Sequence, residues 1–538
     1  MKLLFTVTMA SLCSLSSFTF AQAPTLGTAA NFVLFSTNGA ITNSGISQVT
    51  GNVGTNNGSS TGFGNVNGVM HDGDPASAQC AADLLIAYNQ LNATVPTSFP
   101  AALLGNGQSL NAGVYSIGSA ATINLDLILN GQNNASAVFI FKIQGPLSMN
   151  AASKIKLTNG AKACNVFWKV EGLVSMAANA TMRGTVIANN AAININTGDT
   201  LEGRALSTAG AVTTDGVFAY TPIGCGSPVL NGPLAPTLGV AGCYGLFSSN
   251  GAVSNSGVTT VTGDIGSNSG TPTGFNAALV TGTIHLVPDN STAQCANDVN
   301  VAYNYLNTLT DDIELLYPAQ FGNGLVLTPH TYLLNAATVF TDSLYLNAQG
   351  NANAVFVIKI NGALSTSTYA KVMLINGAQA KNVYWKIEGA VNINNYSIFK
   401  GTIICHNGAL GAINTGVSID GRLLTTNGAL TTTAVTVIAN TLPANCNAVG
   451  IRSFDLENSA IKIYPNPFTD QLTIKTDNTL QNTNAVLTVY NVLGELVLSL
   501  SLLKETTIIN KLEFASGIYS YKIMDNNKLI QSGRLISQ

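Results

Sequence analysis

Charge is what this chain has least of. Only 9% of its 538 residues are Asp, Glu, Lys or Arg, where an ordinary globular domain carries about a quarter. The formal charge is −3, so nothing points to nucleic acid or an anionic membrane as a partner. Histidine is equally scarce: His71, His285, His330 and His406 are scattered, and no H-E-x-x-H or P-loop occurs. An enzyme such as a polysaccharide lyase needs clustered acids and bases, so catalysis is not expected. The eight cysteines form no C-x-x-C pair and no histidine stands at ligand spacing from them, so neither a metal nor another cofactor is expected. Beyond the first twenty-odd residues, no uncharged apolar run reaches the roughly twenty residues of a membrane helix.

What fills the space is Gly, Ala, Asn, Ser and Thr. One Lys precedes an apolar or small run that closes at Thr19-Phe20-Ala21, which predicts a signal peptide over 1–21 and export. Cys13 leaves with that peptide. An exported compartment permits disulfides, and Cys80, Cys164 and Cys225 in the first half leave one cysteine over.

An internal repeat organises the rest. Residues 34–40 return as 246–252, 49–54 as 261–266, and 78–81 as 293–296; 166–172 (VFWKVEG) return as 383–389 (VYWKIEG), and 203–206 as 421–424. Runs such as 138–143 and 355–360 are β-branched and aromatic, bounded by Asn, Gly and Ser, and read as strands. Further on, apolar residues alternate with Asn, Thr or Ser. Short, closely spaced strands suit a coil winding on itself, and a sandwich would read similarly. One helix interrupts each copy. Asp74-Pro75 supplies an N-cap and a first-turn proline, and Ala81, Leu84, Leu85, Tyr88 and Leu91 fall on one face, repeated as Val299, Ala302, Tyr303 and Leu306. Trp168 and Trp385 lie inside strand patterns and are expected to be buried. Glu171 and Glu388 follow Lys169 and Lys386 by two, an ordinary ion pair on one strand face. Arg204 and Arg422 are expected to bond turn carbonyls, and His71 and His285 to act as loop or capping residues. After Cys446 the composition shifts, with sixteen charged residues in the last 87 positions. The expected boundaries are 1–21 signal peptide, 22–225 first copy, 226–240 linker, 241–446 second copy, 447–460 linker and 461–538 a small β-domain.

The motifs Thr50-Gly51-Asn52-Val53-Gly54, Ala87-Tyr88-Asn89, Gly113-Val114-Tyr115, Phe167-Trp168, 184–188 and Gly203-Arg204-Ala205 recur in order in the second copy. It departs at Thr331-Tyr332, and at Cys405 where the first copy has Ala188. In this order the copies resemble the microbial ice-binding domain family. The resemblance implies a mostly β chain: two discontinuous right-handed parallel β-solenoids, each with one long α-helix alongside. The tail, with 463–468 (IYPNPF), 489–494 (VYNVLG) and 516–519 (SGIY), resembles the type IX secretion C-terminal sorting domain of Bacteroidetes. That implies a small antiparallel sandwich-like domain, the type IX machinery as a partner, and a secreted or outer-surface location.

Ice is a neutral lattice of hydrogen-bonding oxygens, and a charged side chain would keep its own water. A sheet offers regular spacings of about 4.8 Å between strands and about 6.7 Å along them. Threonine holds a methyl and a hydroxyl rigidly, so an ordered water layer can join the crystal. Family members carry a Thr-Ala/Gly-x-Thr/Asn pattern, which the resemblance places at Thr197 and Thr200, and in weakened form at Thr415 and Ser418. Thr213, Thr214, Thr431 and Thr432 are the expected neighbours on the next coil. The chain is thus expected to be a monomer that adsorbs to an ice crystal and inhibits its growth or recrystallisation. The alternative is a surface adhesin for glycan or another cell, which should expose aromatic platforms.

Overall fold

The computed structural model describes residues 22–224, 230–439, 441–443, 446, 461–476, 485–511, 514–525 and 528–538. The predicted signal peptide, Cys225 and the 447–460 linker lie outside the described residues. The chain forms two compact units, 1–442 and 443–538.

The first unit holds both copies, each built from parallel strands that wind around a narrow apolar core. In copy 1 the chain makes two coils, passes through helix α1 (Pro75–Ala93), and then winds back from the far end. The solenoid closes where the last coil meets the first: Leu34, Phe35 and Ser36 pair with Ala205, Leu206 and Ser207, and Ile41–Ser44 pairs with Val212–Asp215. Copy 2 repeats this path around helix α2 (Asn290–Thr308).

Each coil crosses three faces, and burial explains the sequence of each. One face lies under the helix, so its strands are buried on both sides: Phe139–Ile143 and Val166–Val170 have no exposed position, hence their apolar runs, each broken by a single lysine, Lys142 or Lys169. Inside, Tyr115, Phe141 and Trp168 stack at 5.0 and 3.9 Å, and Trp168 Nε1 donates to the Arg183 carbonyl at 3.0 Å. The helix starts at Asp74, whose carboxylate accepts from Ser77 N at 2.8 Å. It buries Cys80, Leu84, Ala87 and Leu91 against Ile140, Phe167, Ile187 and Leu206. Leu85 does not belong to this stripe. It is 55% exposed, because it sits one residue, about 100° of helix turn, beyond Leu84.

The expected ordinary ion pair is instead a buried clamp. Lys169 is 1% exposed and pairs with Glu171. Glu171 also accepts from Tyr88 Oη and Asn189 Nδ2, both at 2.7 Å, which ties α1 to the sheet. Copy 2 repeats the clamp with Lys386, Glu388 and Tyr303. Arg204 Nε donates to the Ala30 carbonyl at 2.9 Å, and Arg422 Nε to that of Gly242 at 3.0 Å.

The long strands Thr181–Ala188 and Thr200–Ser207 turn a corner at Gly184 and Gly203. A Cβ on Gly203 would stand 1.9 Å from the Gly184 carbonyl oxygen, so adjacent coils can approach only without side chains there. The second unit has two antiparallel sheets, one of three strands (Ile461–Tyr464, Gln471–Thr476, Thr506–Asn510) and one of four (Val486–Tyr490, Leu496–Ser501, Gly517–Asp525, Lys528–Ser537).

Candidate functional site: the uncharged face of each copy

Two of the three solenoid faces have evident occupants. The helix covers one. The second carries ion pairs: Lys156 with Asp126 at 2.6 Å, Arg183 with Glu202 at 2.7 Å, and Lys400 with Asp420 at 3.1 Å in copy 2. The third is a separate sheet of eight strands in copy 1 and seven in copy 2. Among all their residues, one is charged, Asp215.

On the third face of copy 1, successive strands stand in register at one outward position. The row reads Thr61, Thr42, Thr213, Asn194, Ser175, Ser148, Thr122 and Leu103. Its neighbours along each strand, such as Ile193 and Ile195, point into the core, as the period of two requires. Adjacent members bond sideways: Thr213 Oγ1 donates to Asn194 Oδ1 at 2.9 Å. Asp215 sits at the edge of the sheet, where Thr197 Oγ1 and Ser44 Oγ donate to it at 2.6 and 2.9 Å. Those hydrogen bonds hold its carboxyl below the usual carboxylate range.

In copy 2 the row reads Thr273, Ser254, Thr431, then Gly411–Ala412, Asn392, Ser365 and Val339. The register shifts between Leu410 and Ile413. Where copy 1 has the three-residue strand Ile193–Ile195, copy 2 has four residues, Leu410–Ile413. The extra residue is a bulge, and it leaves Gly411 and the Ala412 methyl in place of a polar side chain.

The eight residues expected from the sequence scatter over four places. Thr213 and Thr431 stand on the uncharged face. Thr214 and Thr432 lie directly beneath it and point inward, 3% and 0% exposed, donating to Asn43 Oδ1 and Asn255 Oδ1 at 2.8 and 2.9 Å. They follow Thr213 and Thr431 by one residue, and on a strand that reverses the face. Thr197 and Thr415 are exposed in the corner turns. Thr200 and Ser418 begin strands of the ion-paired face, Thr200 beside Thr181 and Phe218. Thr42, Thr61, Thr122, Ser148, Ser175 and Asn194 were not anticipated. Their signal was in the sequence: apolar-polar-apolar triplets such as Val174-Ser175-Met176 and Ile193-Asn194-Ile195, one coil apart.

The remaining reactive groups are built into the framework. His71 Nδ1 lies 2.7 Å from the N-cap carboxylate of Asp74, and His285 Nδ1 2.7 Å from that of Asp289. Cys164, Cys243 and Cys446 are in disulfides, while Cys80, Cys295 and Cys405 are free and buried. Burial raises the Cys405 thiol to about 12. Among the described residues no three His, Cys, Asp or Glu are grouped to hold a metal ion.

Residues 35–217 and 247–438 match the ice-binding-like family, one match in each copy. The chain belongs to that family. Residues 462–538 match the secretion system C-terminal sorting domain. A solved structure, the ice binding protein from an Antarctic bacterium of the Flavobacteriaceae, is 61% identical with a TM-score of 0.76, and the match covers 78% of this chain and 98% of that one. An ice-binding protein of Nostoc sp. is 35% identical over 199 residues, 36% of this chain and 73% of that protein. One from Flavobacterium frigoris is 31% identical over 223 residues, 38% of this chain and 75% of the relative. The ice-binding-like copies and sorting tail make this a secreted or cell-surface ice-binding protein, from a family not known for catalysis. No helix among the described residues is long and apolar enough to cross a membrane.

Proposed function

We propose that each copy adsorbs ice through its uncharged face. The contact in copy 1 is the row from Thr61 to Thr122, and in copy 2 the shorter row around Ser254 and Thr431. One observation carries this reading: among the described residues, the one solenoid face free of both helix and ion pairs bears an aligned, one-per-strand series of small hydroxyl and amide groups. Strand spacing of about 4.8 Å sets that series near oxygen repeats in ice. Thr197 and Thr415 act at the rim of the face, and Thr200 and Ser418 take no part. The protein acts as a monomer and a binder rather than an enzyme, stopping ice growth by covering it.

Labelled protein should coat defined planes of a single ice crystal and shape its growth. Ordinary round discs at high protein concentration would overturn the proposal. A second reading, a glycan-binding adhesin, draws on one pair: exposed Tyr369 and Tyr396 stack at 5.3 Å on a corner of copy 2. Aromatic faces of this kind bind sugar rings. Soluble oligosaccharides shifting the tyrosine fluorescence, and a Tyr369→Ser variant abolishing the shift, would favour it.

A further inference from the structure

Both copies lie in one compact unit, and they touch end to end with like corners in contact. Copy 1 contributes residues around 48–70, and copy 2 the coil that follows α2. Gln48 opens a strand of the ion-paired face just after the corner that leaves the uncharged sheet. Its Nε2 donates to the carbonyl of Asn323 at 2.8 Å. Asn323 occupies the same corner of copy 2, between the uncharged-face strand Phe321–Gly322 and the ion-paired-face strand Leu325–Leu327.

The next corner repeats the match. Asn67, bridged to Thr50, lies where copy 1 passes from the ion-paired to the helix-covered face. Its Nδ2 donates to Thr328 Oγ1 at 3.1 Å, and its Oδ1 accepts from Tyr332 Oη at 2.8 Å. Thr328 follows Leu325–Leu327 and precedes Thr331–Leu334 of the helix-covered face, so it marks the same corner. Between these points, Asn65 Oδ1 accepts from Tyr317 N and its Nδ2 donates to the Tyr317 carbonyl, both at 2.9 Å. On the helix-covered side, Met70 and Glu314 line one cleft. A rotation by one third of a turn would have set unlike corners against one another at Gln48–Asn323 and at Asn67–Thr328.

We infer that the copies are stacked in rotational register, so that their uncharged sheets look the same way and form one composite adsorption surface for a single lattice plane of ice. The junction on that side falls between the Ser60–Thr61 strand of copy 1 and the Phe321–Gly322 strand of copy 2, with Gly62 and Gly322 lining the seam. No hydrogen-bonded ladder joins the two sheets; side chains of Gln48, Asn65 and Asn67 hold the register. Rigid alignment makes the second adsorption event intramolecular at no orientational cost, which a flexible tether would not. The inference rests on the proposed function.

The test uses the full chain. Gln48→Ala, Asn65→Ala and Asn67→Ala are combined, with and without a ten-residue Gly/Ser insertion in the 226–240 linker. Small-angle scattering reports whether the copies have come apart, and thermal hysteresis, the gap between melting and freezing points, reports activity. Hysteresis should fall several-fold in whichever variant has opened, and stay at the parental level in one that remains docked. Full hysteresis in an opened chain, or its loss in a docked one, overturns the composite surface. A Thr213→Tyr, Thr431→Tyr double variant separates the two claims. Persistent coating of ice by that variant removes the proposed face itself, whatever the junction does.

Discussion

In the first copy the outward row crosses eight strands and is apolar only at Leu103; in the second it holds no polar side chain at Gly411–Ala412 or at Val339. The two copies otherwise share path, helix, clamp and corners. The difference begins as one inserted residue: Ala188 aligns with Cys405, but Thr200 with Ser418, so the offset grows by one within a single coil. A parallel coil has no slack to hide it, and the register shift appears on the exposed sheet rather than in the core. Tyr369 and Tyr396 add a second contrast, standing at corners where the first copy has Ala152 and Asn179. All four positions have positive φ, so each corner fixes the backbone and leaves the side chain free to differ.

The largest expected effect tests whether the copies stand on equal cores. Trp168 lies in a stack with Phe141, whereas Trp385 meets Phe399 at a tilted 4.6 Å. Trp168→Ala and Trp385→Ala should each cost about 3–5 kcal/mol, with Trp168→Ala the costlier because a parallel stack is lost as well as volume. Chemical denaturation of each variant measures this; equal costs would remove the distinction between the cores.

Next comes the face itself. Thr213→Tyr should remove most of the hysteresis contributed by copy 1, since a ring standing above the row lifts the lattice off its neighbours. Thr431→Tyr should remove less, because its row is already broken at Gly411–Ala412. Thr200→Tyr, on the ion-paired face, should leave hysteresis unchanged. An equal loss from Thr431→Tyr would make the copies equivalent despite the bulge. The converse experiment repairs copy 2. Deleting Gly411 and changing Ala412→Thr restores a three-residue strand with an outward hydroxyl, and hysteresis should rise modestly above the parent; a fall would give the bulge a purpose.

These variants also show how far the residues alone could lead. The strands were legible because double burial under the helix writes mostly apolar runs such as 139–143, and the helix because Asp74-Pro75 caps it. The face was half legible. Thr213 and Thr431 were found because Thr recurs there, but Thr214 and Thr432 came with them, since adjacent residues of a strand share composition and not direction. Ser148 and Ser175 went unread because a single Ser between two apolar residues is common, and only the register across coils, which no local pattern contains, aligns it with Thr122 and Asn194. Leu85 misled for a related reason: the helix stripe is centred on Cys80, Leu84, Ala87 and Leu91, which the apolar residues alone did not fix.

The smallest expected effect concerns pH, and it again separates the copies. Asp199 is fully buried in copy 1, where copy 2 has Val417. Burial raises its pKa to about 6, although Ala180 N and Asn196 N donate to it at 2.7 and 2.8 Å and oppose the rise. The folded value lies above the ordinary 3.8, so the folded state binds the proton more tightly than the unfolded one. Its contribution is therefore fully present below about pH 4 and is lost as pH rises through about 6. The chain contains two tryptophans, one per copy, so Trp385→Phe leaves Trp168 as the sole reporter of copy 1. In that background the melting temperature of copy 1 should fall between pH 4 and pH 7. The reciprocal Trp168→Phe background should not show this fall in copy 2, which has no carboxyl at Val417. Adding Asp199→Asn should flatten the copy 1 profile. A profile that stays steep after Asp199→Asn would assign the titration to another group.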